Sequence, residues 1–325
     1  MDELKDTQGR RLNYVRISVT DRCNYRCIYC MPAEGVVWQD HAHIMSFEEI
    51  LDLCRTLVSL NVRKIRFTGG EPLVRRGMVD FLLKVREQFP ELKIALTTNA
   101  SLLEKFSDQL KAVGLSALNI SLDTLNPVKF KDITRIGDIE AVFRGIQSAR
   151  NAGITDIKLN TVLIRGFNDD EIEDILLFAK KSDVLLRLIE FMPLGDDVWT
   201  SEKFISSSAI LDMLSLFGRW EPDLSHTSEL DGPAAYYRNP ETGLRIGIIS
   251  AVSKHFCAKC NRLRISASGK LRTCLFSGTE YPLLPYLRNG DLQQVRERIL
   301  QAVSEKPKCW QDIRDGSLQM SRIGG

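Results

Sequence analysis

In VRISVT, residues 15–20, apolar and polar positions alternate with a period of two. Val15, Ile17 and Val19 face one way, and Arg16, Ser18 and Thr20 face the other. KIRFTG repeats the pattern, with Ile65 and Phe67 opposed to Arg66 and Thr68. In DIKLNTV, Lys158 and Asn160 share a face; in ALTTN, Thr97 is flanked by residues of the opposite face. The pattern predicts strands over 12–20, 62–70, 92–99, 116–123, 154–164 and 184–193. Amphipathic helices are predicted between them over 46–60, 77–89, 101–113, 138–152 and 169–181. Ser46 followed by Glu49 forms a capping box, and Gly114 and Gly153 stand where helix C-caps belong. Alternating strands and helices predict a parallel sheet with right-handed crossovers. Six units are too few for a complete eight-unit barrel, which leaves an open barrel or a doubly wound sheet.

The alternation thins after Pro193. A short helix is predicted over 207–217, ending at Gly218, followed by a loop, LSHTSELDGP. AAYYRNPETGLRIGIIS predicts a hairpin across Asn239 to Gly243, and RLRISASGKLRTCLF a second one turning at Ser268-Gly269. A last helix over 291–304 precedes a polar tail ending in Gly324-Gly325. The division is placed near residue 225, giving domains 1–225 and 226–325.

Parallel strands covered by helices on both faces are normally apolar throughout. Here one face carries cations on three strands: Arg16, Arg66 and Lys158. Taken singly, each reads as half of a structural ion pair. Converging on one cavity together with Thr97, they predict a bound polyanion, because unpaired burial would be costly. Composition adds no general pull toward anions. The 325-residue chain has 44 basic and 42 acidic residues, a net charge of +2, so nucleic acid and membrane surfaces are not expected partners. MDELKDTQGRRLN lacks an apolar core of the signal-peptide kind, and no stretch approaches the roughly 18 apolar residues of a spanning helix. A cytoplasmic location is expected.

In that setting the eight cysteines read as metal ligands or free thiols. Six fall in two groups. Cys23, Cys27 and Cys30, in DRCNYRCIYC, follow the first strand at the end where α/β barrels hold their active sites. Three thiolates at this density bind soft metals. Zinc would need a fourth ligand, for which His41 or His43 could serve. An iron–sulfur cube would instead keep one iron open. Cys257, Cys260 and Cys274 form the second group, which zinc could complete with His255; spacing leaves zinc and iron–sulfur both open. Arg262 and Arg264 follow directly and predict ligand contact. Cys54 and Cys309 stand apart, as small buried side chains or surface thiols.

C-x3-C-x2-C with Tyr29 before the last cysteine, and GGEP from Gly69 to Pro72 after the second strand, resemble the radical S-adenosylmethionine superfamily. HFCAKCNRLR, the Cys274 spacing and the terminal Gly324-Gly325 are similar to its GTP 3′,8-cyclase family, which acts in molybdenum cofactor biosynthesis. The similarity runs from Arg16 to the last residue. It implies an incomplete (βα)6 TIM-like barrel with a small C-terminal α+β extension. It implies two [4Fe–4S] clusters, on Cys23, Cys27 and Cys30 and on Cys257, Cys260 and Cys274. Tyr29, Gly70, Ser121 and Met192 would contact S-adenosylmethionine; Arg16, Arg66, Thr97, Lys158, Arg262 and Arg264 would contact GTP. The implied chemistry is removal of the ribose 3′ hydrogen by a deoxyadenosyl radical, closure onto guanine C8, and reduction. Arg262, Arg264 and the Gly324-Gly325 tail would assist it. A homodimer is implied, with the product passing to cyclic pyranopterin monophosphate synthase and an electron donor that the resemblance leaves unidentified. The alternatives are a radical peptide-modifying maturase and a non-enzymatic metal-binding sensor.

Overall fold

The computed structural model describes residues 3–35, 39–194, 198–225 and 229–313. Its centre is a run of parallel strands in chain order: β1 (Tyr14–Ser18), β2 (Lys64–Thr68), β3 (Lys93–Thr98), β4 (Ala117–Ser121), β5 (Ile157–Leu163) and β6 (Leu185–Glu190). The connecting helices are α1 (Phe47–Ser59), α2 (Met78–Gln88), α3 (Leu103–Val113), α4 (Pro127–Thr134), α5 (Ile139–Asn151) and α6 (Ile172–Lys181). This is the expected partial barrel. α4 was not foreseen, though Asn126 caps it through its side chain and Pro127 occupies its first turn. The capping box of α1 is present in both directions, Ser46 Oγ accepting from Glu49 N and Glu49 Oε2 from Ser46 N. Gly114 ends α3 in the left-handed conformation, at φ 67°.

Beyond β6 the chain forms α7 (Ser207–Ser215), β7 (Glu221–Pro222), β8 (Ala235–Arg238), β9 (Arg245–Ile249), β10 (Arg262–Ile265), β11 (Lys270–Arg272), β12 (Tyr281–Pro282), α8 (Leu284–Arg288) and α9 (Leu292–Ser304). Both predicted hairpins form, β8 with β9 and β10 with β11. They do not build a separate layer. β9 pairs parallel with β6 and β10 parallel with β1, so the C-terminal region extends both edges of the barrel sheet. The second cysteine group, Cys257 and Cys260 between β9 and β10 and Cys274 after β11, is thereby brought over the barrel. Glu190, fully buried at the end of β6, holds this approach in place. Its carboxylate accepts from Ser207 N, Val252 N and Ser253 N at 2.7, 2.8 and 3.0 Å.

The outer faces of the strands and the inner faces of the helices form one apolar core, including Val15, Ile17, Ile65 and Phe67. α5 reaches α3 closely because Gly145 has no side chain: a Cβ there would lie 2.3 Å from Ala100 O and 3.1 Å from Leu103 Cβ. Gly145→Ala is expected to destabilise the chain by about 1–3 kcal/mol through overpacking. A denaturant midpoint unchanged from the parent would refute this.

Candidate functional site

The first cysteine loop is sewn to the turn after β2. Gly70 N donates to Thr20 O and Glu71 N to Arg22 O, both at 2.9 Å. Gly70 permits this approach, since a Cβ would meet Arg22 O at 2.3 Å and Cys23 Cβ at 2.9 Å. Glu71 is fully buried and accepts from Leu73 N, Thr98 Oγ1 and Asn99 N, at 3.0, 2.9 and 2.7 Å. Burial pushes its carboxyl up to about 7 against those hydrogen bonds. Tyr29 anchors the other end of the loop, its hydroxyl donating to Asp123 Oδ2 at 2.6 Å, while Asp123 Oδ1 accepts from Val162 N. Burial raises all three thiols, Cys23 to about 11 and Cys30 to about 12. Ser121 lies exposed at the C-terminal end of β4.

The polar face of the barrel is an arginine-lined cavity. Arg264, Arg16 and Arg66 stand abreast in register on β10, β1 and β2. Arg187 on β6 and Arg262 on β10 join them, and the only carboxylate among the described lining residues is Asp231. Like charges directly opposite on neighbouring strands are destabilising. Among the described residues, Arg16 Nε and Arg187 Nε are buried without a hydrogen-bond partner, and so is Asn160 Oδ1. Burial and neighbouring cations depress Arg16 far below the usual arginine range and bring Arg264 down to about 10. Tyr14 answers part of this charge: Arg66 Nε donates to its oxygen at 2.5 Å. Burial alone would raise the phenol, but Arg66, Arg16 and Lys64 bring it to about 7. The cavity offers ≈ 160 Å³ to the centres of water-sized molecules. A recess of ≈ 690 Å³ adjoins it along Asp231–Pro233, Phe256, Cys260 and Arg262.

Cys257, Cys260 and Cys274 line the same cavity, with Phe256, Phe276 and Trp310. Burial would raise the Cys260 thiol, yet Arg262 and Lys306 hold it at about 6, so it is a ready thiolate. Arg262 also lies over the Phe256 ring, 4.6 Å from its centroid.

Of the expected residues, Arg16, Arg66, Arg262, Arg264 and Met192 line the cavity. Thr97 instead accepts from Arg66 Nη1 at 3.3 Å. Lys158 is outside the described lining and donates to Asp156 Oδ2 at 2.6 Å, the ion pair that a lone strand cation allows. Gly324 and Gly325 lie outside the described residues. Arg187 is missing from the sequence-based expectation, although a single cation inside the apolar run VLLRLIEF carries the same signal as Arg66. Cys309 is also brought to the second group, as developed below.

A partial barrel with a C-x3-C-x2-C loop after its first strand defines a radical S-adenosylmethionine protein, and the Radical SAM superfamily model matches residues 17–179. The Molybdenum Cofactor Synthesis C model matches residues 184–311. The chain belongs to the GTP 3′,8-cyclase family. It is 45% identical over 327 residues to the GTP 3′,8-cyclase of Peptoclostridium acidaminophilum, covering 99% of this chain and 98% of the relative. It is 43% identical to that of Thermodesulfovibrio yellowstonii, covering 99% and 100%. Among solved structures, Streptococcus suis SuiB bound to S-adenosylmethionine shares the fold, with a TM-score of 0.61 at 13% identity over 89% of this chain and 65% of that one. No helix among the described residues is long and apolar enough to cross a membrane.

Gly70→Ala is expected to displace the Cys23 loop and abolish metal binding by the first trio, without altering any iron that the Cys257 trio takes up. Iron analysis of the variant in chains with each trio separately removed checks this; full iron at the first trio would refute it. Arg16→Met is expected to stabilise the ligand-free chain by about 1–3 kcal/mol, because it removes a buried charge with an unmet donor. A lower urea midpoint would show that Arg16 is structurally paired after all.

Proposed function

We propose that this chain converts GTP to (8S)-3′,8-cyclo-7,8-dihydroguanosine 5′-triphosphate in molybdenum cofactor biosynthesis. The observation that carries the reading is the row Arg264–Arg16–Arg66, five cavity arginines in all against one lining carboxylate, beside the second cysteine trio. A nucleoside triphosphate supplies the missing counter-charge through charge-assisted hydrogen bonds. Fixing its phosphates fixes its ribose relative to the cavity walls, which is the positioning a radical reaction needs.

The donor sets fit iron–sulfur clusters. Cys23, Cys27 and Cys30 sit on a loop whose backbone packs directly on Gly70, and three soft donors leave one iron for an exogenous ligand. Cys257, Cys260 and Cys274 share the arginine cavity, and Cys260 is poised as thiolate. Held at the first cluster, S-adenosylmethionine would supply a 5′-deoxyadenosyl radical on taking up one electron, with methionine as the other product. Tyr29, Gly70, Ser121 and Met192 are assigned to its contacts. Gly70 would offer backbone without a side chain, and Tyr29 keeps the loop end in place through Asp123. Met192 lines the arginine cavity, and on this reading it would border both ligands. A second [4Fe–4S] cluster on the C-terminal trio would meet the guanine, with Phe256 and Phe276 excluding water around it. Arg16, Arg66, Arg262 and Arg264 are assigned to the phosphates; Thr97, which accepts from Arg66, and Lys158, which is paired with Asp156, are assigned to further GTP contacts. Arg262, Arg264 and the Gly324-Gly325 tail assist the closing steps. A homodimer and transfer of product to cyclic pyranopterin monophosphate synthase belong to the same reading.

The chain is reconstituted with iron and sulfide without oxygen, reduced, and given S-adenosylmethionine with or without GTP. Deoxyadenosine release is expected only with GTP, and Arg16→Ala and Arg264→Ala are expected to weaken GTP binding by roughly 10–100-fold, about 1.5–3 kcal/mol. Lys158→Ala is expected to have the smaller effect because its charge is already met by Asp156. Cleavage indifferent to GTP would favour the peptide-modifying alternative, and no cleavage with clusters intact would favour the sensor.

A further inference from the structure

Cys309 is far along the chain from the second trio, yet its thiol lies 3.8 Å from His255 Nε2 and 3.9 Å from Nδ1. One donor atom each from His255, Cys257 and Cys309 lies within 4.8 Å of the others. The juxtaposition is built by several contacts. Arg10, buried and paired with Asp6, donates to Cys257 O at 2.8 Å, Lys308 O at 3.2 Å and Pro307 O at 2.7 Å. One guanidinium thus clips the Cys257 turn to the segment that carries Cys309. Cys309 N donates to Asp312 Oδ2 at 3.1 Å, and Trp310, next along, stacks on Phe276 with centroids 4.6 Å apart.

We propose that His255, Cys257 and Cys309 bind a single Zn²⁺-class cation in the chain that has not received its second cluster. A tetrahedral ion with bonds of about 2.0–2.3 Å to nitrogen and sulfur sets its ligand atoms roughly 3.5–3.8 Å apart. The Cys309–His255 separation already matches. An iron–sulfur cube instead spreads its thiolates over separate irons, so three donors this close suit one ion. On binding, both thiol protons leave to solvent and the imidazole ligates in its neutral form; the fourth position is left to water. Because Cys257 serves both sites, the single ion and the cluster exclude each other. The ion would keep Cys257 and Cys309 from oxidation until Cys257 is handed to the cluster.

The test uses the full chain carrying Cys23→Ala, Cys27→Ala and Cys30→Ala, prepared without iron under reducing conditions. Co²⁺ is titrated, the thiolate-to-cobalt charge-transfer band is read, and Zn²⁺ is used to displace it. Cys309→Ser and His255→Ala are each expected to weaken Co²⁺ binding by roughly tenfold or more, as loss of a direct ligand should exceed loss of its supporting shell. Cys274→Ser should leave affinity and band unchanged, and Cys309→His should recover binding, which separates ligation from folding. Binding lost with Cys274→Ser but kept in Cys309→Ser would place the ion in the cysteine trio and overturn the proposal, as would absence of tight Co²⁺ binding.

Discussion

Repulsion among the abreast arginines of β10, β1 and β2 is the constraint on which the rest of the molecule depends. Two unit charges about 5 Å apart repel by roughly 3 kcal/mol at an effective dielectric of 20. The fold accepts this with Tyr14 as the near counter-group and Asp231 as the lining carboxylate. Burial first and the neighbouring cations second depress Arg16 and Arg264, and, against the upward push of burial, cations of the same face lower the Tyr14 phenol. A site so charged is stable only because the apolar core behind it is large and continuous, with Val15, Ile17, Ile65 and Phe67 buried directly behind the arginines. Stability is given up on one face of each strand and recovered on the other.

The topology serves the same end. Six βα units would leave both barrel edges open, one of them beside Arg16 of β1. The C-terminal chain closes both edges, with β9 against β6 and β10 against β1. β10 brings Arg262 and Arg264 into the row, and the loop before it brings Cys257 and Cys260. The strands of the C-terminal region thus continue the barrel sheet and supply part of the cavity wall.

Strand periodicity made Arg16 and Arg66 legible, because a parallel strand covered by helices is normally apolar and here carries cations in phase on neighbouring strands. The same periodicity could have paired Lys158 with Asp156: residues two apart share a strand face, and the ion pair is local. Arg187 escaped because it is the single cation within an otherwise apolar stretch, residues 185–189, with no in-phase polar neighbour to mark it. α4 had its cap and its first-turn proline in view, but follows β4 where one helix per strand was expected. The edge-joining role of β9 and β10 and the approach of Cys309 were not legible. Both rest on contacts between segments with no shared local pattern, and Arg10, which clips one of them, reads in sequence as an ordinary surface cation.

The two cysteine trios differ in electrostatics although they match in number. The first is buried away from the arginine row, and burial raises its thiols. The second lies against Arg262 and Lys306, which pull Cys260 below neutrality despite burial. On the proposed function, Arg262 would face two anionic partners at once, the Cys260 thiolate and the phosphates of GTP, and would tie the cysteine trio to the substrate pocket through one side chain.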